Sequence, residues 1–150
     1  MAGAHGAREA EKLLTRKGEQ LGAQEAVVKF SGVLHRPSFL QLAGDLFLTN
    51  SRILYLPNRF ERLLGEKKVN WPFHLIDQFG MIRDVKKGLI GRGNVLFFEC
   101  FFVQRELDRH LFTTGASSTD LKWVESIADQ SGRPAVPRLD VSKLKNWKAT

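Results

Sequence analysis

The amino-acid sequence predicts a mainly β domain, an antiparallel sandwich or barrel that is followed by one C-terminal helix. Seven short segments rich in β-branched and aromatic residues are separated by turn residues, and no helices alternate with them. This pattern is typical of antiparallel rather than parallel sheets. The chain has 150 residues and is 43% hydrophobic, which suffices for one core, whereas two independent domains would each be marginal. We therefore expect one domain.

The stretch GDLFLTNSRILYLP, residues 44–57, predicts a β-hairpin and is the most informative segment of the chain. Apolar runs lie on both sides of Thr49-Asn50-Ser51. Asn tolerates left-handed turn geometry, and Pro57 cannot continue a hydrogen-bonded ladder. These residues therefore set the limits of two short strands.

The remaining strands follow from the same composition. The seven predicted strands are residues 25–34, 45–50, 52–57, 67–76, 77–85, 94–103 and 109–114. In VLFFECFFV, residues 95–103, only Glu99 is charged, so we expect this strand to be covered on both faces. Cys100 is the only cysteine; we expect it to be an apolar strand residue in a reducing compartment.

Two helices are predicted, one on each side of the strand region. Residues 117–132 begin with capping residues and end at Gly132; the predicted apolar face comprises Leu121, Val124 and Ala128, with Trp123 and Ile127 beside them. Residues 7–17 predict a short helix with Ala10, Leu13 and Leu14 on one side. The chain thus divides into an N-terminal extension (1–24), a domain (25–132) and a basic flexible tail (133–150).

Seven antiparallel strands followed by one amphipathic helix is the element order of the pleckstrin-homology superfold, and three motifs resemble its GRAM domain. Residues 44–57 are similar to a stretch in which a Gly opens a strand, a Thr closes it and an apolar strand follows. WPFHLI, residues 71–76, is similar to the proline-containing strand that comes next. Residues 95–103, continuing through 109–114 into 121–127, resemble the closing strands and helix. The resemblance implies a bent seven-stranded sheet or barrel capped by the helix 118–131.

The resemblance also implies a non-catalytic module without a cofactor. GRAM and related domains bind phosphoinositides or other anionic lipids in some proteins and act as protein-interaction scaffolds in others. The formal net charge of +7 agrees with a phosphate-bearing partner but does not distinguish lipid from nucleic acid. We expect a cytoplasmic adaptor at the membrane periphery that binds an anionic phospholipid; the alternative is a scaffold that binds a protein partner.

The best candidate for a lipid site is KKGLIGRGN, residues 86–94. Leu89 and Ile90 lie between glycines and are flanked by the cations Lys86, Lys87 and Arg92. Each apolar side chain would contribute about 1.5–3 kcal/mol if fully buried in the membrane interface, and each cation about 1 kcal/mol at an anionic surface. Two other interpretations are open: Leu89 and Ile90 pack under the sheet, or they contact a protein.

A second candidate is RFERLLGEKK, residues 59–68. Its cations are suited to phosphate, since guanidinium forms forked contacts and ammonium is a point charge; they are Arg59, Arg62, Lys67 and Lys68. The acids Glu61 and Glu66 weaken the case. Alternatively, Phe60, Leu63 and Leu64 form a helical turn on the sheet, and the charges are merely solvated.

Other functions lack their usual sequence features. The four histidines, His5, His35, His74 and His110, are far apart in the sequence, and no Cys or carboxylate group has metal-ligand spacing. Neither a nucleophile motif nor a phosphate-binding glycine loop is present, so we expect no enzyme and no metal site. The basic tail around Trp147 leaves RNA binding as a disfavoured alternative. No run approaches the roughly 18–20 apolar residues of a membrane span.

Overall fold

A computed structural model of the chain describes residues 4–36, 42–58, 68–87, 95–106 and 108–140. The described strands are β1 (Val27–Arg36), β2 (Leu42–Thr49), β3 (Arg52–Pro57), β4 (Val69–Pro72), β5 (Gln78–Lys87), β6 (Val95–Arg105), β7 (Asp108–Thr113) and β8 (Val136–Asp140). They form one open sheet in the order β4-β3-β2-β1-β7-β6-β5-β8. The helices are α1 (Ala4–Arg16) and α2 (Ser117–Ser131). The predicted mainly β class with a C-terminal helix is confirmed.

The predicted hairpin is formed by β2 and β3, and both of its faces are buried. The strands pair antiparallel from Gly44 opposite Pro57 to Leu48 opposite Ile53. Leu46 and Tyr55, with the alternate residues Leu48 and Ile53, belong to the main core, whereas Phe47, Leu54 and Leu56 belong to a second cluster on the opposite face. The unbroken apolar runs in the sequence reflect this burial on two sides.

Helix α1 covers the second face of the hairpin. Ala10 and Leu14, each 1% exposed, pack with Val27, Phe47, Leu54 and Leu56, and Leu13 is partly buried beside them. The helix ends at Arg16, and the chain then turns at Gly18, whose φ of +83° favours glycine. The residues predicted to lie on one side of this helix therefore form its contact with the sheet.

Helix α2 packs on the main core, mainly against β5, β6 and β7. Its buried residues are Asp120, Trp123, Val124 and Ile127. The predicted apolar face was centred wrongly, because Leu121 is 39% exposed and the core lies on the side of Trp123. Gly132 ends the helix in the left-handed conformation and donates its N–H to the Ala128 carbonyl, as its position in the sequence predicts.

Two strand predictions were wrong in detail. β4 ends at Pro72, and Phe73–Leu75 form one turn of 3-10 helix, because proline lacks the N–H that would extend the ladder. The sheet has an eighth strand where seven were predicted: β8, within the segment predicted to be a flexible tail, pairs parallel with β5. Arg133 holds the start of this segment by donating hydrogen bonds to the carbonyls of Phe73, Ile76 and Asp77.

Two glycines offer a matched test of packing in the β1–β3 region. A Cβ at Gly44 would lie 2.5 Å from the Tyr55 ring, which is fully buried, whereas a Cβ at Gly32 would meet nothing within 4 Å. We expect Gly44→Ala to lower the free energy of unfolding by about 1–3 kcal/mol through overpacking and Gly32→Ala to leave it unchanged or slightly raised. Urea unfolding of both variants is the measurement; equal effects would contradict the close packing of Tyr55 on β2.

Candidate functional site

The positive excess of the chain is concentrated in a few segments. The 59–67 and 88–94 connections contribute +1 each, the strand residues Arg36, Asp84, Lys86 and Lys87 contribute +2 together, and residues 141–148 contribute +3. The remaining charges cancel, so these segments account for the whole excess of +7. The predicted lipid-binding stretch, residues 86–94, carries three cations and no acid.

The predicted lipid-binding residues have different positions relative to the described chain. Lys86 and Lys87 are the last residues of β5 and lie opposite Leu96 and Val95 in register, so the seven-residue connection that follows closes the β5–β6 hairpin. The predicted ligands Leu89, Ile90, Arg92, Arg59, Arg62 and Lys67 lie outside the described residues.

Lys68 is the one predicted ligand with a described side chain, and it forms an ion pair. Its Nζ lies 2.7 Å from Glu19 Oε1, and the lysine side chain is 60% exposed. An anionic ligand at Lys68 would have to compete with Glu19 for this charge. Sequence analysis could not identify this pair, because Glu19 belongs to the N-terminal extension, forty-nine residues away.

The connections that carry the two predicted basic clusters lie at opposite ends of the strands. β3 and β6 run in the same direction as β1, whereas β5 runs against it. The β3–β4 connection, which carries the 59–68 cluster, therefore leaves from the end where β1 finishes. The β5–β6 connection leaves from the end where β1 starts. The strand directions thus favour two separate patches over one combined site.

A buried carboxylate stabilises the hairpin turn at the start of β1. The Glu25 side chain is 8% exposed and accepts hydrogen bonds from Thr49 Oγ1 (2.6 Å), Ser51 Oγ (2.8 Å), Arg52 Nε (2.8 Å) and the Gly22 N–H (3.0 Å). Burial alone raises the pKa of Glu25, but the bonds from Arg52, Thr49, Gly22 and Ser51 outweigh it and lower the pKa to about 2. Glu25 is therefore charged at neutral pH and has a structural role.

A pair of buried histidines joins β1 to β7. His35 Nε2 and His110 Nδ1 lie 2.6 Å apart, and the rings are enclosed by Tyr55, Trp71 and Phe112. Burial and the neighbouring His110 lower the pKa of His35 to about 3. Asp108 Oδ2 lies 2.9 Å from His110 Nε2, outside hydrogen-bond geometry. His35 and His110, which are far apart in the sequence, thus form a polar contact that is surrounded by aromatic side chains.

The described residues hold no group of three His, Cys, Asp or Glu side chains arranged to bind a metal ion. None of the helices in the described part of the chain is long and apolar enough to cross a bilayer.

No family model matches the sequence, and no curated protein matches it. Solved structures do match its fold. The hSac2 domain from human phosphoinositide phosphatase Sac2 is 13% identical, with 95% of this chain and 94% of that chain covered and a TM-score of 0.54. The C-terminal domain of an unknown protein from Leishmania infantum is 13% identical, with 84% and 97% covered and a TM-score of 0.50.

The DH/PH domains of p115-RhoGEF are 12% identical to the chain, with a TM-score of 0.51; the match covers 87% of this chain and 38% of that chain. Identities this low show a shared fold and nothing more. Together with the mainly antiparallel sheet and the C-terminal helix, they show that the fold is pleckstrin-homology-like.

The two shifted pKa values predict that acid destabilises the chain in two windows. Below pH 6.5 the unfolded chain binds a proton at His35, whereas the folded chain does not until about pH 3. Stability therefore falls with decreasing pH at up to about 1.4 kcal/mol per unit. Glu25 adds a second loss between pH 4.5 and about 2, because its charged form is favoured by folding.

Urea unfolding as a function of pH tests both windows. We expect His35→Phe to remove the loss of stability between pH 6 and 4.5 and part of the loss between pH 4.5 and 3, where both groups contribute. Glu25→Gln should leave the loss between pH 6 and 4.5 in place and reduce the loss below pH 4.5, and it should lower stability at pH 7 by about 1–2 kcal/mol through the lost ionic hydrogen bonds. A wild-type chain whose stability is constant from pH 7 to 4 would contradict the burial of a neutral His35.

Proposed function

We propose that this chain is a non-catalytic, pleckstrin-homology-like module of GRAM type that binds anionic phospholipid headgroups, phosphoinositides among them, at the cytoplasmic surface of membranes. The observation that carries this proposal is the composition of residues 86–94, which combine three cations and two apolar side chains with no acid at the β5–β6 turn. A local positive excess of this kind attracts anionic surfaces.

The β5–β6 connection is the main proposed contact. Lys86 and Lys87 are the last paired residues of β5 before this connection, and Arg92 lies within its glycine-rich sequence. In the proposed mode, Leu89 and Ile90 enter the membrane interface while the three cations bind headgroup phosphates. At about 1 kcal/mol per cation and about 1.5–3 kcal/mol per buried apolar side chain, the contact supports transient binding rather than stable anchoring.

The 59–68 cluster is a secondary contact in this proposal. It leaves from the other strand end, and Lys68 is paired with Glu19, so its cations are less available. One structural relative is a domain of a phosphoinositide phosphatase, which agrees with a phosphoinositide ligand. The alternative function, a protein scaffold without lipid binding, uses the same fold. The vesicle-binding experiment below distinguishes the two functions.

Vesicle co-sedimentation tests the proposal. The triple variant Lys86→Gln, Lys87→Gln, Arg92→Gln removes three charges from the proposed site, and the matched control Lys12→Gln, Arg16→Gln, Lys122→Gln removes three from the scaffold. We expect phosphatidylcholine vesicles that contain phosphoinositide to sediment the wild type and the control. The first variant should bind at least about tenfold more weakly, as three lost phosphate contacts require.

Equal loss in both variants would show that net charge alone governs binding and would overturn the assigned site. No sedimentation of the wild type at low salt would overturn the lipid function. In that case a protein partner that still co-purifies with Leu89→Asp, Ile90→Asp supports the scaffold alternative. A salt-dependent shift of single-stranded RNA that disappears on deletion of residues 133–150 would support RNA binding instead.

A further inference from the structure

Strand β1 has a side that the described strands leave largely unpaired. One side pairs with β2 along most of its length. On the other side, β7 reaches only Leu34, His35 and Arg36, because β7 ends at Thr113 and the chain turns into α2. From Lys29 to Val33, no described strand hydrogen-bonds this edge. In a strand, every second residue directs its N–H and C=O to the same side, so this edge presents donors and acceptors that none of the described strands pairs.

The outer face of the same stretch is apolar and exposed. Phe30 is 38% exposed and Leu34 is 37% exposed, and they are among four large hydrophobic side chains of the described residues that are this accessible. Between them lies Gly32, where an added Cβ would meet nothing within 4 Å. An open depression of about 330 Å³ adjoins this surface, and its lining is Gly32, Val33, Leu34, Ala43, Gly44, Asp45, Asn58, Thr113, Thr114 and Gly115. The edge thus borders a mainly apolar surface, with the ion pair of Asp45 and Lys17 at its margin, that could receive side chains of a strand partner.

On the inner face of the stretch, Lys29 and Ser31 precede Val33, which belongs to the main core. Ser31 Oγ accepts a hydrogen bond from Trp123 Nε1 at 3.0 Å, and Lys29 Nζ lies 5.7 Å from the centre of the Trp123 ring. Lys29 forms no ion pair among the described side chains, whereas Lys17, Arg52 and Lys68 each do. An acidic side chain of a binding partner beside Lys29 would form an ion pair with it.

We propose that the Lys29–Val33 edge of β1 binds an extended peptide segment of a partner protein, with alternating apolar and acidic side chains, by strand addition. The incoming strand occupies the row that β7 leaves vacant and donates and accepts main-chain hydrogen bonds along β1. Its apolar side chains lie beside Phe30 and Leu34 over Gly32, and its acidic side chains lie on the side of Lys29. A second copy of this chain is the less suitable occupant, since each copy carries a net charge of +7.

Selection from a display library of random twelve-residue peptides, carried out on the full chain without lipid, tests this surface. We expect enriched peptides to alternate apolar and acidic residues. Binding should weaken about tenfold or more in Phe30→Ser, Leu34→Ser. The control Leu121→Ser removes a side chain of equal exposure from α2 and should bind as the wild type does. Thermal unfolding verifies that all three proteins are folded.

Backbone methylation distinguishes strand addition from a side-chain contact. In a synthetic copy of an enriched peptide, N-methyl groups on alternate residues in one phase should abolish binding, and those in the other phase should not, because only one set of amides faces β1. Equal effects of the two phases, or no enrichment of any peptide, would overturn the proposal. So would a wild-type dimer in sedimentation equilibrium that Phe30→Ser, Leu34→Ser dissociates.

The proposed lipid site and the proposed peptide site can be tested independently of each other. The triple variant Lys86→Gln, Lys87→Gln, Arg92→Gln should retain peptide binding, and Phe30→Ser, Leu34→Ser should retain vesicle binding. Peptide binding that is lost in the triple variant would place the peptide on the basic connection and overturn its assignment to β1.

Discussion

The fold depends on one packing constraint: the β2–β3 hairpin is apolar on both faces and must be covered twice. One face forms the main core with Trp123 of α2, and the other is closed by Ala10 and Leu14 of α1. Without α1, the side chains of Phe47, Leu54 and Leu56 would lose much of their cover, at a cost of the order of 1.5–3 kcal/mol for each side chain fully exposed. The N-terminal helix is therefore part of the folded unit.

The sequence predicted those parts of the structure that local chemistry determines. The turn at Asn50, the burial of β6 around Cys100 and the stop at Gly132 all follow from residues close together in the chain. It did not predict the role of α1, the eighth strand or the contact of His35 with His110, which lies seventy-five residues away. These depend on tertiary packing, which periodicity does not encode. Pro72 could have indicated the end of β4, since it has no N–H.

For the candidate site, the sequence shows where the excess cations lie but not which cations are paired with acidic side chains. In the described part of the chain, Lys68 pairs with Glu19, Lys17 with Asp45 and Arg52 with Glu25. Pairs between residues this far apart in the sequence are set by the fold and are not visible in the sequence. The scaffold itself contributes shape, including the unpaired edge of β1, and so the two proposed binding surfaces differ in chemistry as well as in position.

Amide hydrogen exchange of the hairpin in Leu14→Ala tests the double-cover constraint most directly. Removing this buried leucine, 1% exposed, should destabilise the fold by about 2–5 kcal/mol and accelerate exchange across residues 46–56. Lys12→Ala, an exposed change on the same helix, is the control and should leave exchange at its wild-type rate. Unchanged protection of residues 46–56 in Leu14→Ala would contradict the account, because it would show that the hairpin is stable without the contact from α1.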